Sequence, residues 1–424
     1  MARRGILRTL AVTAGLALLA ACGGAGFNGP GATLRFVNAT SAWPSLDLYV
    51  DGQRLFAAVA YGQGDRYASV DPDRAATQVR SAGASAALVS TTPALTRGRA
   101  YTLIAWGGEG AAKSLLVDDE EAADAAAAKV RVVNAAGDAG ALEVFLLAPG
   151  ETVATGSPSH TSLAAGNASG YATRAAGTWR LRVIAAGDRN DPRLQAELPL
   201  AAGQVATLVL TPTTGGALVN ALWLVHKGPV TALATSQARV RLAAPQTGTV
   251  SATVGGVPMA VSESTPVLGA YVIVPAGAQP VSGNLDGVPL GWPSVQPDVV
   301  LAPGTDQTLL VRRLAGSVSA TWVLDDNRAP TADGKAKVRL LNGLDLPLSM
   351  TVDLLPVVTG QAAAAASPYA LVDGGSSRRV TVTDTGTGQT RVDLSGQALD
   401  TGRVYTVFPV EGAPPSAGIV RRDR

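Results

Sequence analysis

One strand pattern, written four times along the chain, limits what it can fold into more than any other feature. LRFVNA from Leu34, VRVVNA from Val130, VRLAAP from Val240 and VRLLNG from Val338 each open a similar stretch. A second pattern, LxxGxxxT, recurs as often: Leu95/Gly98/Thr102, Leu200/Gly203/Thr207, Leu301/Gly304/Thr308 and Leu399/Gly402/Thr406. Opening residue and threonine lie 68 residues apart in the first, third and fourth stretches and 77 apart in the second. The second therefore carries an insertion of nine, which its polar composition places between Gly156 and Gly170. Apolar closing runs follow at Ser114 to Val117, Ala221 to Val225, Ala320 to Leu324 and Ala417 to Val420. Recurrence at a set spacing marks one supersecondary unit repeated in tandem. The spacing predicts four modules, at 32–118, 129–227, 237–326 and 335–424.

Within the modules the local signal is β. Leu46, Leu48 and Val50 alternate with Asp47, Tyr49 and Asp51, the period of a half-buried strand, and Asp51-Gly52 suits a hairpin turn. Helix is scarce; Asp118 to Lys129 could form about three turns, too short to stand alone, and reads as a linker. In an immunoglobulin-like sandwich the LxxGxxxT element is a corner: an apolar residue enters the core, Gly turns the chain, and a Tyr bonds back to the corner backbone. Tyr101 and Tyr405 stand where that Tyr belongs, whereas modules two and three have Ala206 and Gln307. The fold class expected is all-β, as tandem immunoglobulin-like β-sandwich modules. Set in a row, four would reach roughly 130 Å. Arg35, Arg131, Arg241 and Arg339, one per module, read as solvent-facing positions on an edge strand.

The N-terminus carries a different message. Arg3, Arg4 and Arg8 precede an apolar stretch from Leu10 to Ala21, the pattern of a signal peptide over residues 1–21. That stretch is short for a bilayer core of roughly 30 Å. Leu19-Ala20-Ala21-Cys22 resembles a lipobox, which assigns Cys22 as the lipid-attachment residue and a membrane as partner through that N-terminal lipid. Cys22 is the only cysteine, so no other thiol is available for a disulfide or a metal. Gly23, rather than Asp, after the cysteine implies outer-membrane sorting, with residues 22–31 as a Gly-rich tether. Arg3-Arg4 also resembles a twin-arginine signal, leaving the export route open.

The first module, LRFVNATSAWPSLDLYVDG followed by AYGQGDRYASV and LTRGRAYTLIAWG, resembles the bacterial domain-of-unknown-function family 4397 over residues 32 to 117. The resemblance implies an exported protein with immunoglobulin-like modules and brings no catalytic residues. Modules two and four keep the VRxxN opening; module three keeps the spacing alone.

Residues that carry chemistry are few. His160 and His226 are the only histidines, with no thiol to join them. Gly107 to Ser114 misses a P-loop by one residue, Ala112 standing where the second Gly is needed. Acids at Asp118, Asp119, Glu120 and Glu121 and at Asp325 and Asp326 read as solvated linker ends. A calcium alternative rests on Asp325, Asp326, Asn327 and Asp333, hard oxygens at a module junction. Trp43 and Trp292, each followed by a proline, are candidates for a sugar-stacking platform. A net charge of +2 without a basic cluster argues against nucleic acid. The leading expectation is a non-enzymatic envelope lipoprotein, without cofactor, that binds a protein or glycan through exposed loops or strand edges. The alternatives are a hydrolase, carbohydrate-active or other, with acids from separate modules, and a passive spacer.

Overall fold

The computed structural model describes residues 31–424, apart from 65, 109, 292–297, 315–316, 414 and 416. Module one has nine strands: β1 (Ala32–Asn38), β2 (Ser45–Val50), β3 (Gln53–Ala60), β4 (Gln63–Gly64), β5 (Ala68–Val70), β6 (Thr77–Ser81), β7 (Ala87–Thr91), β8 (Ala100–Trp106) and β9 (Lys113–Asp118). One sheet runs β4-β1-β8-β9, with β5 also on β1, and the other runs β3-β2-β6-β7. Every pairing in module one is antiparallel except β1 with β8, which is parallel. The two sheets close on one core that includes Leu34, Phe36, Leu46, Leu48, Val79 and Leu103. Modules two and four repeat this sandwich. Two short 3-10 turns, Pro72–Arg74 and Gly137–Ala139, are the only helical elements among the described residues.

The parallel pair explains the repeat. Its register sets Arg35 beside Thr102, and the same pairing recurs as Arg131 with Thr207, Arg241 with Thr308 and Arg339 with Thr406. The two sequence patterns are thus neighbouring strands of one sheet, and a change in spacing is absorbed only in loops. Module two places its extra length in the loop 148–159, between Leu142–Leu147 and His160–Leu163, starting before the stretch that composition indicated.

The asparagine of the opening pattern ends the first strand. Asn38 is buried; its amide donates to the carbonyls of Trp43 and Val59 while its oxygen accepts the Thr40 N–H. Asn134 and Asn342 make the same clamp. Module three has Ala244 at this place, and its strand runs on unbroken from Gln237 to Val254. With that strand shared, its pairings join an eight-stranded sheet.

The modules do not form a row. Along β1, Leu34 and Phe36 face the module's own core, while Val37 and Ala39, with Ile104 and Val117, pack on Val133, Ala135, Val209, Leu222 and Leu224 of module two. Modules three and four meet likewise through Ala243, Leu268 and Leu310 against Leu341, Phe408 and Val410. Each pair is a stack of sheets whose inner two face one another. The expected 130 Å rod is therefore replaced by two face-to-face pairs, because the second face of the opening strand is apolar beyond its arginine and each large apolar side chain buried there is worth about 1.5–3 kcal/mol. The pairs touch as well: Gly215 N–H donates to the Gly304 carbonyl, Asn327 N–H to Gly215, and Ala329 N–H to Asp138.

Two linkers also depart from expectation. Residues 119–126 form no helix; Asp119 is buried, and Glu120 accepts the Ala100 N–H. Beyond residue 227 module two gains another strand, Val230–Leu233, which pairs with its Val219–Val225 strand and packs on Val37 of module one's face.

Candidate functional site

A buried cluster of charges lies between paired modules, on strands that sequence reasoning placed at an edge. Arg35 and Arg241 have no solvent exposure, and Arg131 and Arg339 are nearly as buried. The solvent-facing reading is overturned because the partner module covers that face.

In the pair of modules three and four the two arginines are exchanged reciprocally. Arg241 donates from Nε to Thr308 (2.9 Å) and from Nη2 to Thr406 (3.1 Å), and both its terminal nitrogens reach Asp423 of module four. Arg339 donates from Nε to Thr406 (3.1 Å), and its Nη2 pairs with Asp325 of module three. Tyr271 and Thr308 donate to Asp325 at 2.6 Å each. The guanidinium carbons lie 4.5 Å from the Tyr271 centroid and 4.8 Å from that of Tyr369. Burial works against the charge on Arg241, but Tyr271, Asp423 and Asp325 outweigh it and hold its pKa above the ordinary value. Arg339 shifts the same way, burial being outweighed by Asp325 and Tyr369.

Modules one and two build the same cluster with one acid fewer. Arg35 donates from Nε to Thr102 (3.0 Å) and from Nη1 to the carbonyls of Val225 and Gly228. Arg131 donates to Thr207, and its Nη2 reaches Asp119 at 3.4 Å. Asp119 also accepts from Tyr67 (2.7 Å) and Thr102 and lies 3.6 Å from Arg35. Where Asp423 stands in the other pair, module two has His226, its Nε2 3.0 Å from Thr207 Oγ1. Here burial wins: the Arg35 pKa falls below its ordinary value, Tyr67 and Asp119 offsetting only part of the loss.

Sequence reasoning missed the tyrosines, although each module has one and Tyr271 and Tyr369 stand at identical spacing from Val240 and Val338. It found the threonines, but as corner residues; their hydroxyls instead hold the arginines. The corner itself is built. Leu95 packs on the first core and Leu399 is fully buried; Gly98 and Gly402 turn at φ +79° and +75°. Tyr101 accepts the Thr96 N–H and Tyr405 the Asp400 N–H.

The calcium candidate does not assemble. Asp325 is committed to Arg339, Tyr271 and Thr308, Asp326 to Arg328 and Lys337, and Asn327 donates to Asp306, while Asp333 is exposed. No group of three or more metal-ligating side chains occurs among the described residues. His160 is buried against the Val130 carbonyl, far in role from any triad. Trp43 packs on the first core; Trp292, Cys22 and the lipobox residues Leu19, Ala20 and Ala21 lie outside the described residues. The segment that mimicked a P-loop joins the antiparallel strands β8 and β9.

Two outward features remain. An open cleft of about 510 Å³ is lined by Asp188, Asn190 and Asp191 of module two, Arg239 and Tyr271 of module three, and Arg421, Arg422 and Asp423 of module four. Among the described residues the exposed large apolar side chains, Val261, Val288, Val300, Leu314, Leu324, Leu354, Leu355 and Leu371, all belong to modules three and four. Leu354 and Leu355, 74% and 68% exposed, form a hairpin tip whose Asp353 and Leu354 have φ of +48° and +69°. The matching tip of module one is Asp51-Gly52, at +48° and +76°.

The family described as "Domain of unknown function (DUF4397)" matches residues 32–145, module one and the first strands of module two. No curated protein matches the chain. One similar solved structure is CBMbc, of family CBM26, from Eubacterium rectale Amy13K in complex with maltoheptaose. It is 11% identical, covers 44% of this chain and 96% of its own, and superposes with a TM-score of 0.15.

Proposed function

We propose that the chain is a non-enzymatic envelope lipoprotein, held to a membrane through Cys22, whose modules three and four meet a protein or glycan partner. The observation that carries this reading is the segregation of exposed apolar side chains onto those two modules. Scattered exposed apolar residues are ordinary; their confinement to one half is what marks a contact surface. Leu354 strengthens it. A bulky side chain at positive φ is strained, and such strain collects where a side chain is needed outside the fold. The junction cleft adds donors and acceptors from three modules.

The hydrolase alternative has one feature in its favour, because that cleft does gather acids from modules two and four. Asp191, however, is paired with Arg193, and Asp423 with Arg241 and Thr406. Two of the three acids that line the cleft are thus tied down by buried arginines and poorly placed to exchange protons with a substrate, which supports the binding role.

The test compares the full chain with a Leu354→Ser/Leu355→Ser/Leu371→Ser variant for binding to immobilised envelope glycans and to isolated envelope proteins. Binding that falls at least tenfold with an unchanged melting temperature supports the proposal. Equal binding by both proteins contradicts the assignment to modules three and four. Cys22→Ala is expected to move the protein from the membrane to the soluble fraction, and retention on the membrane would remove the anchor.

A further inference from the structure

The two buried clusters differ by one negative charge. Modules three and four balance Arg241 and Arg339 with Asp325 and Asp423. Modules one and two set Arg35 and Arg131 against Asp119 alone, with a histidine in the second acid's place. The flanking charges cancel: Glu120 pairs with Lys227, Glu121 with Lys129 and Asp118 with Arg99. One positive charge is therefore left over in a buried site, where an uncompensated charge is costly.

The hydrogen-bond pattern differs in the same place. Arg35 Nη2, His226 Nδ1 and Tyr171 Oη are buried and have no hydrogen-bond partner, though Arg35 is wholly unexposed and the His226 side chain only 5% exposed. Their counterparts in the other pair are satisfied: Tyr369 donates to Asn327, Arg241 to Asp423, and Asp423 stands where His226 does. Buried polar groups without partners are few in folded proteins and each calls for an explanation. All three orphaned atoms can donate a proton. They are grouped, since Arg35 Nη1 bonds the Val225 carbonyl next to His226, and the Tyr171 and His226 rings meet edge to face at 5.9 Å.

From the surplus charge and the three donors together, we infer that the interface between modules one and two binds a single small inorganic anion of halide size, beside Arg35, His226 and Tyr171. The anion does there what the Asp423 carboxylate does in the other pair. The low exposure of Arg35, Thr102 and Thr207 suits a monatomic ion rather than an oxyanion. Tyr171, whose ring meets His226, also lines an open groove of about 380 Å³ along Ser159 to Leu163.

The test replaces chloride with methanesulfonate at constant ionic strength and follows melting of the full chain. Chloride is expected to raise the melting temperature by roughly 2–4 °C, saturably, as a ligand that binds only the folded state does. His226→Asp, which supplies the second carboxylate, is expected to abolish that dependence, and Arg35→Met to abolish it by removing the surplus charge. Crystals grown with bromide are expected to show an anomalous peak within hydrogen-bond reach of Arg35 Nη2. A water without anomalous signal at that point, or a chloride effect undiminished in both variants, overturns the inference. Should both variants misfold, the bromide experiment on the unaltered chain decides alone.

Discussion

Modules one and two and modules three and four solve one packing problem with unequal means. Each pair buries two arginines between facing sheets. The second pair supplies a carboxylate for each and leaves every cluster side chain bonded; the first shares Asp119 between two guanidiniums and an imidazole. The contrast shows what the opening arginine is for. Its Nε holds the threonine of the parallel neighbour strand in all of modules one to four, whatever acid lies beyond. The acid decides how firmly two modules hold together.

Removing the acids one at a time is expected to separate the two pairs most widely. Asp119→Asn is expected to destabilise modules one and two by about 3–5 kcal/mol, the usual cost of leaving a buried charge unpaired. Asp325→Asn is expected to cost less, since Asp423 remains; chemical denaturation of the full chain checks both. Equal losses would mean that the count of acids is irrelevant.

Next in size is the asparagine clamp. Asn134→Ala and Asn342→Ala each strip bonds from buried backbone carbonyls and are expected to cost about 1–3 kcal/mol. Module three already lacks the clamp at Ala244, so Ala244→Asn, which has no turn to close, is expected to bring no gain.

The halves also separate by pH. Both histidines lie in module two, and burial lowers the pKa of each below 6.5, only partly opposed by the Val130 carbonyl at His160 and by Asp119 at His226. The folded state thus prefers them neutral. Their contribution is complete above about pH 6.5 and is lost as pH falls through the depressed folded values. At the second pair, burial opposes ionisation of Asp326, but Arg328 and Lys337 hold its pKa at about 2, so its contribution fades only as pH falls towards 2. Melting at pH 5 is expected to weaken modules one and two first, and His226→Gln is expected to shrink that difference.

The smallest effect concerns the hairpin tips. Leu354→Gly is expected to stabilise module four by up to about 1 kcal/mol, and Gly52→Leu to destabilise module one by a similar amount. A Cβ at Gly52 would meet nothing within 4 Å, so only backbone strain is measured. Loss of partner binding in Leu354→Gly together with gained stability would separate the role of that side chain from the fold.

Much of the architecture was legible because repeats record register. The two recurring patterns are the parallel partners Arg and Thr, a pairing kept even in module two, where a longer loop stretches the spacing from 68 to 77 residues. The buried arginines were misread because alternation alone places Arg35 opposite Leu34 and Phe36, on a face assumed to be wet. The corrective signal was present: Val37 and Ala39 follow Arg35 on that same face, and a wet face would be polar there. Asp119 was misread for a related reason. A run of four acids looks like a solvated linker, and only the fold brings Tyr67, Thr102 and Arg35 around one member of it. The junction cleft had no sequence signal, because its residues come from three modules and no motif spans them.

The modules pack face to face in pairs rather than end to end. Small-angle X-ray scattering of the full chain tests this most directly. The paired arrangement predicts a radius of gyration in the low twenties of ångströms, near the roughly 22 Å of a compact chain this long. A value near the roughly 38 Å of a 130 Å rod would contradict it.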